Sequence, residues 1–381
     1  MNKLIYLDYA ATTPVDPRVA DKLMQHLTMD GVFANPASRS HMYGWQAEAA
    51  VEHARKQVAS LLNADTREIV WTSGATEANN LAIKGVAEAW RTRGKHIITS
   101  LNEHKAVIDC FKYLEERGYS VTWLKPRASG EVSSEDLKAA IREDTILISL
   151  MHVNNETGAI NDIYKFGDIA KQHNIIFHVD AAQSAGKLEI DTQRLAADLI
   201  STCAHKTYGP KGIGALYVRR RADLILPAQI HGGGHERGMR SGTLPTHQIA
   251  AMGEAFEIAQ SCMSEEQAII LSYKQLFLDK LFGQIDVHVN ANVEQSVPGI
   301  LNLSFPGKDG QLLLSALPKL AISSGSACTS ATMSPSHVLK SMGLSDDLAL
   351  GALRFSFGRF TREEEVSSAA DMLKSVLLKM T

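Results

Sequence analysis

Residues 201–214 read S-T-C-A-H-K-T-Y-G-P-K-G-I-G and lie between two short apolar runs, residues 198–200 and 213–218. One lysine in this stretch, Lys206, follows a histidine and precedes a Tyr-Gly-Pro turn. Two strands joined by so short a segment are expected to pair antiparallel. A partly desolvated amine at such a junction loses its proton readily and can form a Schiff base. Taken alone, however, the motif is more typical of a lysine in a surface loop.

A second stretch, residues 175–183 with the sequence I-I-F-H-V-D-A-A-Q, supplies a partner for this lysine. Its apolar residues predict a strand that is buried on both faces, as in a parallel sheet. Asp180 ends the strand at the edge where open α/β sheets bind ligands, and a buried acid needs a cationic or hydrogen-bonding partner. A protonated pyridine nitrogen is such a partner, so Asp180 and Lys206 form the pair that pyridoxal phosphate requires. The chain therefore resembles the fold-type-I pyridoxal phosphate enzymes of the class V aminotransferase group.

Strand-like and helical patterns alternate through the first two thirds of the chain. This alternation predicts a mostly parallel sheet of about seven strands, with helices on both faces and the last strand antiparallel. The predicted strands are residues 68–71, 96–99, 121–124, 146–152, 175–179, 199–202 and 213–218. Beyond residue 229 strands become fewer, which indicates a smaller α+β domain. We expect a large cofactor-binding domain of residues 16–262, and a small domain of residues 1–15 and 263–381.

Composition narrows the functional class. The 381 residues carry a net charge of -3, which gives no reason to expect binding to nucleic acid or to an anionic membrane. No apolar run approaches the length that spans a bilayer, and the N-terminus lacks the pattern of a signal peptide. The cysteines have no C-x-x-C spacing, which favours a reducing compartment and predicts a cytoplasmic location. They are Cys110, Cys203, Cys262 and Cys328.

A candidate phosphate site follows the predicted strand at residues 68–71. Residues 72–77 read T-S-G-A-T-E and open a helix, where free backbone N–H groups and the helix dipole favour an anion. The alternative is an ordinary helix start capped by the side chain of Ser73 or Thr76. No dinucleotide or P-loop glycine pattern follows a strand. The resemblance implies that Ala75 and Thr76 contact the cofactor phosphate.

The resemblance assigns further residues to the cofactor. His104, in N-E-H-K, would stack on the pyridine ring and move protons, and the alternative is a water-exposed histidine at a helix start. Asn155 would lie beside the ring, and Gln183 would donate to the phenolate oxygen. His205 and Cys203 would lie at the phosphate. Relatives usually carry serine in place of Cys203, and a thiol is the weaker donor.

The glycine-rich stretch 231–243, H-G-G-G-H-E-R-G-M-R-S-G-T, invites a metal interpretation because His231 and His235 have a zinc spacing. That spacing brings two imidazoles together only on a helix, and three intervening glycines disfavour one, so we predict no resident metal. The resemblance implies instead that the stretch crosses a homodimer interface. Thr243 of one subunit would then contact the phosphate bound in the other.

Cys328 lies in the stretch 321–332, A-I-S-S-G-S-A-C-T-S-A-T, among small and hydroxyl residues. This composition predicts a mobile, exposed loop at about residues 323–335, and the alternative is a buried structural cysteine. Together with R-F-S-F-G-R-F at residues 354–360 and the glycine-rich stretch, it closely matches cysteine desulfurases of the IscS/NifS type. The resemblance covers nearly the whole chain.

The resemblance implies conversion of L-cysteine to L-alanine. Arg354, with Asn35 and Asn155, would bind the substrate carboxylate, and Lys206 would remove the α-proton. Cys328 would take the sulfur as a persulfide and pass it to an iron–sulfur scaffold or other acceptors, for cluster assembly or tRNA thiolation. Cys328 would also ligate, transiently, a cluster shared with the scaffold. Relatives carry a longer C-terminal tail that helps dock the scaffold, so docking affinity does not follow from the resemblance. The alternatives are a selenocysteine lyase, a transaminase of the same fold or a non-catalytic scaffold.

Overall fold

The computed structural model describes residues 4–324 and 334–380. Its strands and helices are numbered along the chain. The strands are β1 (Ile5–Tyr6), β2 (Ile69–Thr72), β3 (His96–Ser100), β4 (Ser120–Leu124), β5 (Thr145–Met151), β6 (Ile176–Asp180), β7 (Leu199–Cys203), β8 (Gly214–Val218), β9 (His288–Val289), β10 (Ile300–Ser304), β11 (Leu320–Ala321), β12 (Ser323–Ser324) and β13 (Ala352–Ser356). The helices are α1 (Pro17–Met24), α2 (Met42–Leu61), α3 (Ala75–Ala89), α4 (Lys105–Glu115), α5 (Ser134–Ala140), α6 (Ile163–Gln172), α7 (Thr246–Leu281), α8 (Gly310–Ala316), α9 (His337–Ser341), α10 (Asp346–Leu350) and α11 (Glu363–Leu377).

The main sheet has seven strands in the order β2-β8-β7-β6-β5-β3-β4. All neighbouring pairs are parallel except those of β8, which runs antiparallel to both β2 and β7. Crossover helices separate the parallel strands, whereas only the short segment that carries Lys206 joins β7 to β8. The predicted fold class, including the antiparallel last strand, is confirmed.

Both faces of this sheet are covered by helices, and the side chains of β2 show why. Ile69 and Trp71 pack in one core with apolar residues of α2, α6 and α7. Val70, between them, packs in a second core with residues of α3 and α4. Because successive strand residues point to opposite faces of a sheet, a strand with consecutive apolar residues is stable only when both faces of the sheet are covered.

The C-terminal part of the chain forms a smaller α+β unit. Its four-stranded sheet has the order β12-β13-β10-β9, and β1 pairs with β11 in a separate parallel ribbon. One core joins this sheet to α11, to Ile5 and Leu7 from the N-terminus, and to Phe277 and Leu281 from the end of α7. Ile258, earlier in α7, packs in the core of the large sheet instead. This partition supports our proposal that the two domains divide within α7, near residue 262.

The helices reflect local sequence at their starts. Asp16 caps α1 by accepting a bond from the Arg18 backbone N–H, and Pro17 occupies the first helical position.

Within the described ranges, none of the helices combines the length and the apolar composition that crossing a membrane requires.

Candidate active site

A cavity of about 650 Å³ lies at the carboxyl edge of the parallel strands. Its wall is formed by the segments that follow β2, β3, β5, β6 and β7, with a contribution from the N-terminal segment at residues 10–12 and from β13. Because the carboxyl ends of parallel strands meet at one edge, side chains distant in sequence converge there. The predicted residues that line the cavity are Ala75, Thr76, His104, Asn155, Asp180, Gln183, Cys203, His205, Lys206 and Arg354.

The start of α3 forms one end of this cavity. Gly74 precedes the helix, and no side chain caps the free N–H groups of its first turn. The alternative prediction of a cap by Ser73 or Thr76 is therefore wrong. Gly214 of β8 backs directly onto this turn, and a Cβ added there would come within 2.7 Å of the Gly74 Cα. The free N–H groups, together with the helix dipole, make this end suited to an anion such as a phosphate.

Asp180, the last residue of β6, is buried in the cavity floor. Its Oδ2 accepts a bond of 2.8 Å from Nδ2 of Asn79, and its Oδ1 accepts one of 2.9 Å from the Ala182 backbone N–H. Each carboxylate oxygen retains acceptor capacity after these bonds. Asn79 itself was not predicted. The only sequence signal was a polar residue one turn after Ala75, because its complete burial is seen only in the structure.

Lys206 lies in the turn between β7 and β8, and the N-terminal segment holds this turn in place. Thr13 donates to the His205 carbonyl from both its backbone nitrogen, at 2.8 Å, and its hydroxyl, at 3.1 Å. The same hydroxyl accepts a 2.8 Å bond from the Tyr208 backbone N–H. Tyr208 has a φ of 59°, in the left-handed region that non-glycine residues rarely adopt. These contacts fix the backbone on both sides of Lys206.

Two histidines of the cavity are held neutral. Burial lowers the pKa of His104, and the nearby Lys206 ammonium lowers it further. Its Nδ1 accepts a bond from the Ala106 backbone N–H at 3.1 Å, so the proton of the neutral ring is on Nε2. The side chain is half-buried in the cavity wall, unlike the water-exposed alternative. Burial, with Lys206 and Lys211, lowers the pKa of His205 to about 4.

Arg354, on β13, lines the cavity, and one of its guanidinium nitrogens has no partner among the described residues. Its Nη1 donates to the Asn155 carbonyl at 2.8 Å, and its Nη2 donates to Asp8 Oδ1 at 2.8 Å and to the Ser323 hydroxyl at 3.3 Å. The guanidinium Nε is buried and has no partner among the described residues, and the same holds for the Asn155 Oδ1. A buried donor left unsatisfied is costly, so a ligand carboxylate that bonds to it is favoured.

Glu156 was missed by sequence reasoning and lies beside Arg354 in the cavity wall. Burial raises the pKa of Glu156 to about 7, against the lowering effects of a hydrogen bond from Ser336 and of the charges of Arg354 and Lys105. The Ser336 hydroxyl donates to Glu156 Oε2 at 2.5 Å and caps α9. A glutamate beside a predicted site asparagine was the only sequence signal.

Comparisons with known proteins identify the family. Residues 5–368 match the model of the aminotransferase class-V family. The chain belongs to this family. It is 58% identical over 376 residues to the cysteine desulfurase IscS of Vibrio vulnificus strain YJ016, which covers 99% of this chain and 93% of the relative. A solved NifS-like protein has a TM-score of 0.92 at 35% identity, over 99% of this chain and 100% of the other. A structure described as SspA in complex with cysteine has a TM-score of 0.82 at 38% identity, over 94% of this chain and 100% of the other.

Pyridoxal 5'-phosphate is the cofactor of class-V enzymes, and the residues present fit it. The uncapped start of α3 suits a phosphate, and Asp180 suits a protonated pyridine nitrogen. Lys206 lines the same cavity in the turn after β7, which also carries Lys211. The structure thus brings together in one cavity the three groups that this cofactor requires.

Two predicted residues, Asn35 and Thr243, are not brought to the cavity of this single chain. Asn35 is exposed, and its Oδ1 accepts a bond from the Ala37 backbone N–H at 2.9 Å. Thr243 is exposed and lines no part of the cavity. Cys328, with most of its predicted loop, lies outside the described residues.

The glycine-rich stretch that contains Thr243 is anchored by Glu236. Its buried carboxylate accepts bonds from both terminal nitrogens of Arg55, at 2.8 and 2.9 Å, and from the Trp71 backbone N–H at 2.8 Å. In the part of the chain that the structure describes, no group of three or more His, Cys, Asp or Glu side chains could hold a metal ion.

Proposed function

We propose that this chain is a pyridoxal phosphate-dependent cysteine desulfurase, which converts L-cysteine to L-alanine and transfers the sulfur to Cys328. The observation that carries the proposal is the convergence of Lys206, Asp180 and Arg354 in one cavity, with the Arg354 Nε lacking a partner among the described residues. These groups suit a pyridoxal enzyme that binds an amino acid. The cysteine desulfurase names of relatives at 58% identity support the choice of cysteine as the substrate.

The cofactor would be held at four points. The start of α3, at Ala75 and Thr76, would bind the phosphate, with help from His205 and Cys203. Asp180 would pair with the pyridine nitrogen, His104 would stack on the ring, and Gln183 would donate to the phenolate oxygen. When bound, the cofactor withdraws electrons from the Cα of the amino acid attached to it.

The chain's own residues would then bind and deprotonate the substrate. Arg354 Nε and the amide of Asn155 would engage the carboxylate and the amino-acid backbone, since neither Nε nor the Asn155 Oδ1 has a partner in the part of the chain that the structure describes. Lys206, as a free amine, would take the α-proton. His104, with its proton on Nε2, can donate that proton to an atom in the cavity and take it back.

Sulfur transfer would use the thiolate of Cys328. The thiolate attacks the substrate sulfur, so an S–S bond forms on Cys328 and the substrate C–S bond breaks. The electron pair of that bond stays with the substrate carbon, which takes up a proton to give alanine. Cys203 is a poor alternative nucleophile, because it is buried and burial raises the pKa of its thiol.

We further propose that the enzyme works as a homodimer in the cytoplasm and passes the persulfide sulfur to a protein acceptor such as an iron–sulfur scaffold. The resemblance supports the dimer, because Thr243 lies away from the cavity of its own chain. The spacing of the cysteines supports a reducing compartment.

The proposed function is tested by supplying purified protein with pyridoxal phosphate, L-cysteine and a thiol reductant. We expect alanine and sulfide in equal amounts, and neither product from Lys206→Ala. Formation of pyruvate or of a transaminated product in place of alanine would contradict the proposal and favour a transaminase. A much higher kcat/KM with selenocysteine than with cysteine would favour a selenocysteine lyase.

A further inference from the structure

The amide of Gln183 is held at both ends in the cavity wall. Its Nε2 donates to the Ala10 backbone carbonyl at 2.9 Å, and its Oε1 accepts a bond from the Lys187 ammonium at 3.3 Å. A carbonyl can only accept and an ammonium can only donate, so the two partners dictate which end of the amide is nitrogen. One N–H of Nε2 is left for a further acceptor. Gln183 is buried and lines the cavity, where a bound ligand would supply that acceptor.

Lys187 supplies the cation that holds the Gln183 oxygen. The side chain is half-buried, and it lines a small cavity together with Lys206. Among the described residues, no carboxylate lies within ion-pair distance of this ammonium, and the positive groups Lys206 and Arg354 act on it electrostatically. Burial, with those cations, lowers the pKa of Lys187 to about 8. Partial burial of a cation without an acidic partner costs free energy, and the Lys187 ammonium donates instead to the Gln183 oxygen.

We propose that Lys187 is a positioning residue, which holds the carbonyl end of the Gln183 amide so that Gln183 presents an N–H to the phenolate oxygen of the cofactor. The inference rests on the proposed cofactor site and adds to it a residue outside the direct contacts. Without Lys187, the Gln183 oxygen would be a buried acceptor with no partner, and the amide would turn to satisfy it. An ammonium on the oxygen also polarises the amide and strengthens its N–H as a donor.

This arrangement has a spectroscopic consequence. The bound cofactor changes its visible absorption when the nitrogen that links it to Lys206 loses a proton, and that loss leaves negative charge on the phenolate oxygen. A donor to this oxygen stabilises the charge and so lowers the pH midpoint of the change. Lys187→Met removes the donor to Gln183 but keeps most of the apolar stem. We expect the midpoint to rise by about one pH unit, the shift typical of losing a hydrogen bond to a charged group.

The experiment is an absorbance titration of the pyridoxal phosphate-loaded protein, without cysteine, for a set of matched variants. Lys187→Arg retains a cation that can donate, so it should restore the wild-type midpoint to within a few tenths of a unit. Lys187→Met should add almost nothing in a Gln183→Leu background, because the effect acts through the amide. Lys187→Gln is the second variant should the methionine variant not hold the cofactor. Its side chain is too short to keep the bond, so the same rise is expected.

Two results would overturn the inference. An unchanged midpoint in Lys187→Met or Lys187→Gln would show that Lys187 does not position the amide. An equal rise with and without Gln183 would show that Lys187 acts only as a nearby positive charge. Neither result bears on the desulfurase proposal, which instead fails if the wild-type protein shows no visible band or forms no alanine.

Discussion

Glu156→Gln tests the electrostatics of the cavity wall, because glutamine has nearly the shape of a protonated glutamate. Glu156 is 6% exposed, and its carboxyl accepts a 2.5 Å bond from the Ser336 hydroxyl. A glutamine oxygen can accept the same bond, so the variant should keep the packing of the wall and the start of α9. The change therefore removes the titration of this group and little else.

The expected gain in stability of Glu156→Gln follows from the difference between the pKa of Glu156 in the folded protein and in the unfolded chain. The pKa of Glu156 rises from 4.5 to about 7 on folding, so the folded protein binds more protons than the unfolded chain between these values. Stability therefore falls as the pH rises through this window, and the full penalty applies above about pH 7. At 1.36 kcal/mol per unit, the penalty is about 3 kcal/mol. At about 2.1 cal/mol/K per residue, this corresponds to roughly 3–4 °C in Tm for a chain of 381 residues.

The assay is thermal unfolding of the cofactor-free protein between pH 4.5 and pH 8, for wild type and Glu156→Gln. The buried histidines His152 and His178, whose pKa values fall to about 4, destabilise both proteins in acid, so only the difference between the two curves is informative. We expect no difference near pH 4.5 and a more stable variant at pH 8. Ser336→Ala, which removes a bond that lowers the pKa of Glu156, should move the wild-type transition to higher pH. A difference that is the same at every pH would refute the reasoning.

Three further predictions concern the cofactor site. Asn79→Ala removes the 2.8 Å bond to the buried Asp180 carboxylate, a contact worth about 1.5–3 kcal/mol. Cofactor dissociation, measured by absorbance, should therefore be at least several-fold faster, and an unchanged rate would contradict this role. Cys203→Ser places a hydroxyl at the cavity wall and should slow cofactor dissociation about tenfold, while alanine formation continues. Faster dissociation of the cofactor would reject a contact between this residue and the phosphate. Thr243→Ala should weaken cofactor retention without lowering the Tm of the cofactor-free protein, and sedimentation that finds an active, cofactor-loaded monomer would exclude the contact across a dimer.

Local patterns of apolar and polar residues were enough to predict most of the main sheet. The seven strands of the main sheet lie within two residues of their predicted positions, because a short apolar run between two helical patterns is typical of a buried strand. The positions of Asp180 and Lys206 followed from the same patterns, since each lies at the end of a strand or in the turn after it. Neither prediction required knowledge of which residues meet in space.

Residues whose roles depend on distant partners were not predicted. Asn79, Glu156 and Lys187 acquire their roles from contacts with Asp180, Ser336 and Gln183. The bonds of Asn79 to Asp180 and of Glu156 to Ser336 join residues more than 100 positions apart, and sequence spacing does not encode them. Lys187 is only four residues from Gln183, but its partial burial depends on how distant segments pack around it.

The central claim, that sulfur passes from cysteine to Cys328, is tested most directly by mass spectrometry. The cofactor-loaded protein is given one equivalent of L-cysteine without reductant, quenched with an alkylating reagent and digested. The account predicts that the peptide containing Cys328 gains one sulfur atom, that a thiol reductant removes it, and that alanine appears in an equal amount. The matched Cys328→Ser variant should keep its cofactor and form almost no alanine. Alanine formed at the wild-type rate by that variant, or an unmodified Cys328 peptide beside a full equivalent of alanine, would contradict the account.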